Sequence, residues 1–318
     1  ITGVLTVANF TGGAVKVPNN VVDNNPVPVI FQGSASEVGN VSTAGTLVGK
    51  IMASQIQANN FEIEIQIGEG ESTTVTSSVL EAMVPPLSAT INAAAYEFVQ
   101  GTDAAIEDII TGSDITLATT VGVDLTNAAV SASDMAVIVG YTSGSIDATG
   151  VTSIGGSYAN VNTVLAARSG ADANVDNLSS VNVTLTTTEL DASDLVTMSG
   201  SIGTGVITAT DATLVNATGA GLSAFSTKIT DGDIVIDDPS VTLDTTPASV
   251  SDINILDGQT DGVITAIVTE QDTFTLKSLL NGSSNNALTI TIGAGTELAA
   301  DLTLVSGKTS VDVGAQLV

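Results

Sequence analysis

The sequence predicts a β-rich α/β repeat, in which an elongated, solenoid-like array of short helices and strands lies between β-sandwich-like terminal segments. A short motif recurs along the chain: Ser-Asp, two apolar residues three positions apart, Gly, and then Thr, Gly and Ala. Its copies begin near positions 78, 133, 193 and 251. The copies are therefore spaced by roughly 55–60 residues, and a nearly fixed spacing of this size indicates a repeat architecture.

Each copy of the motif predicts a short helix followed by a strand. The serine is a good N-cap, because its hydroxyl accepts hydrogen bonds from the free N–H groups of the first turn. The apolar pair lies on one helix face, as with Leu195 and Met198 in the copy that begins at Ser193. Gly200 is expected to end that helix in a left-handed conformation. The Thr-, Val- and Ile-rich tail that follows is typical of a strand.

A second helical unit alternates with the first. Residues 101–110 align with residues 156–165, and in both a hydroxyl residue precedes two apolar residues three positions apart. These pairs are Ile106 with Ile109 and Val161 with Val164. The repeat period is therefore predicted to hold two short helices and two or more strands.

The chain is predicted to have three parts. They are an N-terminal β segment at residues 1–75, the repeat array at 76–270 and a C-terminal β cap at 271–318. Strand-like runs occur at 4–7, 27–31 and 61–67, and the last alternates apolar residues with Glu and Gln, which is typical of a half-buried antiparallel strand. Short apolar runs at 288–292, 302–305 and 310–313 predict the strands of the cap.

Composition excludes several classes of function. Acidic residues outnumber basic ones 34 to 6, which gives a net charge of −28 with no basic patch, so nucleic-acid partners are excluded. No apolar run approaches the roughly 18 residues of a transmembrane helix, so no membrane insertion is expected. The chain has no Cys and no His, which excludes disulfides, zinc sites and Cys- or His-based nucleophiles.

Two acidic clusters are candidate calcium sites, and calcium is the only cofactor expected. Calcium takes six to eight oxygen ligands, which Asp and Asn side chains in a loop can supply. The first cluster places such side chains at alternate positions in a Gly-flanked loop, and the second is the run Asp231-Gly-Asp233 with further aspartates a few residues later. The candidate ligands are Asp172, Asn174 and Asp176 in the first cluster and Asp231, Asp233 and Asp237 in the second. The alternative for both clusters is a solvated acidic loop.

At the units that begin with Ser133, Ser193 and Ser251, the sequence resembles repeats of very long, acidic, Cys-poor bacterial cell-surface proteins. These are frequent in cyanobacteria and include S-layer-like and hemolysin-like β-strand repeat proteins. The run from Ser251 to Ala266 matches the typical repeat best, and the resemblance covers roughly residues 78–270. It implies an extracellular, cell-surface protein with a structural or adhesive role.

The expected function is therefore that of a structural subunit of a surface layer, sheath or fibre. Such a subunit would self-associate through β-edge contacts, so its main partner is a second copy of itself, with cell-surface glycans as a further partner. No catalytic residue is predicted. The alternatives are a monomeric adhesin stalk and a polysaccharide-active enzyme that uses paired carboxylates.

Overall fold

The computed structural model of the protein describes residues 5–8, 29–33, 61–65, 73–81, 90–168, 174–178, 180–218, 221–244, 246–280, 286–294 and 297–315. The chain divides into two compact units. Unit 1 comprises Ile1–Val151 with Ala166–Leu178, and unit 2 comprises Thr152–Leu165 with Ser179–Val318. Both contain helices and parallel sheets, so the α/β class is confirmed. The boundaries expected at residues 75 and 270 stay a prediction.

Unit 1 contains two parallel sheets. Sheet A has, in spatial order, β1 (Leu5–Ala8), β2 (Val29–Gly33), β3 (Phe61–Ile65), β5 (Thr90–Asn92) and β7 (Ile115–Thr116). Sheet B has, in spatial order, β12 (Val175–Asp176), β10 (Ile146–Asp147), β8 (Gly122–Leu125), β6 (Phe98–Gly101) and β4 (Thr74–Thr76). A further strand is β9 (Ala129–Ser131). The helices of unit 1 include α1 (Asp103–Thr111) and α2 (Ala132–Tyr141), and residues 77–81 are helical as well.

Unit 2 follows the same plan. Sheet C contains β17 (Ile234–Ile236), β15 (Ile207–Ala209), β13 (Asn182–Leu185) and β11 (Ser153–Gly156). Sheet D has the order β14 (Glu189–Asp191), β16 (Leu214–Ala217), β18 (Ser240–Leu243), β19 (Ile264–Ile267) and β20 (Ala287–Thr289). A short pair joins β21 (Thr291–Ile292) to β22 (Gly314–Ala315). The helices are α3 (Tyr158–Ala166), α4 (Ala192–Ile202), α5 (Leu222–Thr230), α6 (Val250–Asp257), α7 (Thr273–Leu276) and α8 (Ala299–Ser306).

Each of sheets B, C and D contains a row of buried aliphatic side chains. The parallel register places one residue from each of several neighbouring strands side by side in the row. The row of sheet B is Val75, Val99, Val123, Ile146 and Val175. Sheet C contributes Ile154, Val183, Ile207 and Ile234, and sheet D contributes Leu190, Val215, Val241 and Ile264. β-Branched residues suit these positions because they pack well on a pleated surface.

The helices pack through the apolar pairs that the sequence predicts. Met135 and Ile138 of α2, Leu195 and Met198 of α4, and Ile253 and Leu256 of α6 are all buried. The apolar pairs of the alternating second motif, in α1 and α3, are buried as well. The prediction of helix faces is therefore confirmed, because residues three apart lie on one side of a helix whatever its exact ends.

The starts of the motif helices were predicted two residues too late. The N-caps of α2, α4 and α6 are Ser131, Asp191 and Ser249, so Ser133, Ser193 and Ser251 lie inside the first turn. Only Ser249 of these three caps uses its side chain, which accepts a hydrogen bond from the backbone N–H of Asp252 at 3.1 Å. The serines of the motif therefore do not act as N-caps.

Two of the three predicted glycine stops were also wrong. Gly140 and Gly200 lie within α2 and α4, and a side chain there would meet no atom within 4 Å. Gly258 does end α6, as predicted, but its φ of −82° is not left-handed. In α4 the residue that ends the helix with a positive φ, of 65°, is Gly203. Helices α2 and α4 are therefore longer than expected.

In two copies of the motif, the Thr and Gly contact a neighbouring segment of the chain. Thr260 is buried, and its Oγ1 donates to Pro239 O at 2.7 Å while accepting from Gly262 N at 2.9 Å. Thr142 makes the equivalent two hydrogen bonds in unit 1. A side chain at Gly262 would overlap the Pro239 carbonyl, so the chain can pass this close only at a glycine.

Both terminal segments differ from their predictions. The strand at 61–67 is present as β3, but it pairs in parallel with β2 and β5, so the antiparallel assignment was wrong and the β-sandwich is not confirmed. Residues 302–305, predicted as a strand, lie in the helix α8. Among the described residues, no helix is both long enough and apolar enough to cross a membrane.

Candidate functional site

A row of polar side chains crosses sheet B beside its buried row. Gln100, Asp124, Asp147 and Asp176 occupy matched positions in β6, β8, β10 and β12. Each follows a residue of the buried row, so strand alternation turns it to the opposite face. Asp147 and Asp176 are exposed and Asp124 is half-buried. Three carboxylates on adjacent strands, about 4.8 Å apart, form a strip of negative charge that attracts cations.

Hydrogen bonds hold parts of this polar row in place. Gln100 Nε2 donates to Asp124 Oδ2 at 2.5 Å. Asp147 Oδ1 accepts from Thr149 N at 2.9 Å, from Thr149 Oγ1 at 2.5 Å and from Asn177 Nδ2 at 3.4 Å. Chiefly the Thr149 hydroxyl lowers the pKa of Asp147. Asp147 therefore stays ionised near neutral pH and contributes a negative charge to the row.

Gln100, Asp124 and Asp147 are not among the site residues predicted from sequence. Their spacing in the sequence could have indicated them, since the three recur at nearly equal intervals that match the separation of paired strands. The repeat period predicted from the motif spans more than two such intervals and hides this row. Side chains that share a row are therefore far apart in sequence and unremarkable one at a time.

The first predicted calcium cluster is divided between two roles. Asp172 lies outside the described residues. Asn174 Nδ2 donates to Thr142 O at 2.8 Å, and its backbone carbonyl accepts from Ile146 N at 2.6 Å. Asp176 belongs to the polar row. Asn174 thus holds the segment from Thr142 to Ile146 in place through hydrogen bonds. Asp176 supplies the predicted carboxylate on the edge strand β12.

The second predicted cluster includes an ion pair. Asp233 Oδ2 lies 2.7 Å from Lys228 Nζ, which neutralises it. Asp231 caps the C-terminus of α5 and Asp237 follows β17, and both are exposed. In the described part of the chain, no three Asp or Glu residues converge as a metal-binding group would require. Calcium binding therefore stays a proposal for both clusters.

An open groove of about 350 Å³ lies in unit 1 beside Phe98. Phe98 is 40% exposed, and its ring lies where a side chain at Gly122 would be. Glu97, Thr120 and Ser145 also line the groove, together with Tyr96 and several Ala and Gly residues. An aromatic ring flanked by a carboxylate and hydroxyls is the kind of surface on which a sugar can stack and form hydrogen bonds.

The ends of the sheets present strand edges. β1 lies at one edge of sheet A, and no strand pairs with its outer side among the described residues. At the other end of the sequence, β22 pairs with β21 alone in that part of the chain. Such edges carry backbone N–H and C=O groups that can pair with another chain.

The resemblance to bacterial surface repeats stays a prediction beside these geometric findings. The fold places its motif residues in helix faces and turn-to-turn hydrogen bonds, as described above. No protein-family model matches the chain, and no curated protein matches its sequence.

Proposed function

We propose that this protein is a structural subunit of an extracellular assembly, a surface layer, sheath or fibre, whose copies join through strand edges. The observation that carries the proposal is the register of sheets B, C and D, in which every strand pairs in parallel with a strand one turn of the chain away. Pairing of this kind builds a structure by stacking one turn on the next, so the first and last turns keep unpaired edges.

On this proposal each unit is a solenoid-like coil. One turn consists of a helix and short strands, and neighbouring turns share the buried aliphatic rows and the Thr–x–Gly contacts. Small side chains such as Ala148, Ala209 and Ala266, buried where the strands end, allow turns to stack closely. A coil of this type supports a structural role, because its backbone pairing can continue from one copy to the next.

The distribution of charge supports contact between chain ends. Residues 1–36 contain one lysine and one aspartate, and residues 273–311 contain two lysines and two carboxylates. Nearly all of the net charge of −28 lies between residues 37 and 272. Two copies therefore repel each other least where an N-terminal strand of one meets the C-terminal β region of the next. A head-to-tail contact of this kind propagates into a filament or sheet unless it closes into a ring.

The test compares the full chain with a variant that lacks residues 1–20 and hence β1. Electron microscopy and light scattering at high concentration should show filaments or sheets for the full chain and smaller particles for the variant. Thr6→Pro and Val7→Pro provide a finer test, since N–H groups alternate sides along a strand and one of the two substitutions removes an outward-facing donor. Polymers that form equally well in the deletion variant would rule out β1 as the joint.

The second candidate function is a monomeric adhesin stalk that binds glycans, and the groove beside Phe98 favours it. Phe98→Ala would remove the aromatic surface, so binding to a glycan array should fall at least tenfold on this reading. Ile255→Ala is the control, because Ile255 is an exposed large hydrophobic residue outside the groove. A full-length chain that stays monomeric at high concentration and binds glycans through Phe98 would replace the assembly proposal.

A further inference from the structure

The C-terminal part of unit 2 exposes large apolar side chains. Phe274 is 85% exposed, Leu298 70%, Leu304 56% and Leu280 49%. In the described residues these four are the most exposed of the large hydrophobic side chains. We call them the C-terminal apolar face. A phenylalanine left this open to water is typical of an interaction surface when further apolar residues adjoin it.

Two contacts hold the segment that contains α7 beside the segment that contains α8. Thr273 Oγ1 donates to Glu297 Oε2, and Lys277 Nζ lies 2.9 Å from Asp301 Oδ1. Phe274 and Leu298 are the residues that directly follow the first contact, and Leu280 and Leu304 each lie three residues after the second. The two contacts therefore bring together the segments that carry the four exposed side chains.

The segment that carries this surface has little net charge, which restricts what can cover it. From Asp272, the N-cap of α7, to Asp312 the chain has two lysines and four carboxylates. A basic partner would be drawn to the more acidic residues before Asp272 instead, because the attraction follows the charge. A second copy of this chain, by contrast, meets strong repulsion over most of its surface and little here. Charge therefore favours a second copy that presents the same weakly charged face.

We propose that the C-terminal apolar face binds the same face of a second copy about a two-fold axis. A contact of this type is isologous and closes after two copies, so it forms dimers and does not propagate. It uses side chains near α7 and α8 where the strand-edge joint uses backbone groups, so it does not require that joint. Where both contacts operate, which rests on the proposed function, the dimer contact would link neighbouring filaments into paired filaments or sheets.

The absence of cysteine from the sequence allows a clean cross-linking test. Ser278→Cys places one exposed thiol beside Lys277, between Phe274 and Leu280, and it can only form a disulfide with a second copy. Under mild oxidation this variant should yield covalent dimers at least tenfold faster than Ser223→Cys, the matched control on the exposed side of α5. Equal rates for the two variants would overturn the proposal, whatever else covers the face.

A second substitution tests the apolar contact itself. In the Ser278→Cys chain, Phe274→Ser should slow disulfide formation at least tenfold, because an exposed aromatic anchor is lost. If Phe274→Ser lowers the melting temperature, the same test is made with Leu298→Ser. An unchanged cross-linking rate in a folded variant would also overturn the proposal. Microscopy tests the strand-edge joint separately. Filaments without cross-linked dimers would support the proposed assembly and contradict the dimer contact. Cross-linked dimers without filaments would support the dimer contact and contradict the proposed assembly.

Discussion

Asp103 and Asn127 bind each other through two hydrogen bonds that join the first residue of α1 to the loop after β8. Asp103 N donates to Asn127 Oδ1 at 3.3 Å, and Asn127 Nδ2 donates to Asp103 Oδ1 at 2.7 Å. Asp103 Oδ2 accepts from Ser131 N at 2.5 Å. In unit 2, Tyr158 N of α3 similarly donates to Thr187 Oγ1 at 2.8 Å. The free N–H groups of a helix start are thus satisfied by side chains from the next turn.

We expect Asp103→Ala to destabilise the protein by about 1–3 kcal/mol, because Asn127 and Ser131 would each keep a donor without its acceptor. The control is Asp108→Ala, an exposed carboxylate on the same helix, which should change stability by no more than about 0.5 kcal/mol. Urea unfolding of both variants gives the comparison. Similar losses in the two variants would show that the link between turns contributes nothing.

Gly200 and Gly205 should respond oppositely to alanine. Gly200 lies within α4 with open space around it, so Gly200→Ala should stabilise the protein by about 0.5–1 kcal/mol. A side chain at Gly205 would overlap the Val181 carbonyl, so Gly205→Ala should destabilise. Denaturant midpoints of the two variants test this. A destabilised Gly200→Ala would mean that the helix does end at Gly200, as the sequence motif suggests.

The glycines show why helix faces could be predicted from sequence and helix ends could not. Leu195 and Met198 share a face for any helix that contains both, so their burial follows from spacing alone. A glycine, by contrast, is found both at helix ends and inside helices, and only the surrounding structure distinguishes the two for Gly200 and Gly203. The α/β class was predicted because it depends on such spacings, which tolerate errors of a few residues in the bounds.

Strand direction and the polar row were not predictable from local patterns. The alternation in β3 indicates which residues face one side, and it is the same whether the partner strand runs parallel or antiparallel. Parallel pairing places Asp147 beside Asp124 and Asp176, and these contacts require the register between turns. The predicted residues Asp172 to Asp176 lie in one local segment, so sequence could suggest them, whereas it could not show that Asp147 joins Asp176.

The hydroxyl group of Thr260 should contribute more to the stability of the protein than the volume of its side chain does. Thr260→Val keeps the volume but removes the donor to Pro239 O and the acceptor for Gly262 N, so it should cost about 1–3 kcal/mol. Thr260→Ser keeps the hydroxyl and should cost less. Thermal or urea unfolding of the two variants measures the difference. If valine is tolerated as well as serine, the hydrogen bonds between turns are not stabilising.

Stability should fall at acid pH partly through Asp147. Its pKa is lowered in the folded state, chiefly by the Thr149 hydroxyl, so the unfolded chain binds the proton more readily. The resulting stability is present above the unfolded pKa, about 3.9, and is lost as pH falls through the lower folded value. Asp147→Asn should therefore lose less stability than the wild type between about pH 5 and pH 2. Urea titrations across this range test it, and parallel profiles would contradict it.

Calcium should raise the melting temperature more than magnesium does, if the predicted cluster at residues 172–176 is a site. Calcium accepts irregular sets of oxygen ligands, whereas magnesium requires a stricter geometry and keeps its waters. A chelator should lower the melting temperature, and calcium should restore it. Asp172→Asn should abolish the difference between the two metals, while Asp108→Asn, which changes an exposed carboxylate outside both clusters, serves as the control. Equal effects of both metals in the wild type would indicate general charge screening instead.

The register of the sheets also determines how the protein would respond to mechanical load. In sheets B, C and D, hydrogen-bonded strands are separated by one full turn of the chain. A unit held by its two ends would therefore yield one turn at a time, and each rupture would release a segment of roughly 80 Å when extended at about 3.3–3.6 Å per residue. A layer or fibre made of such subunits would lengthen in small, repeatable steps under tension and recover as turns pair again.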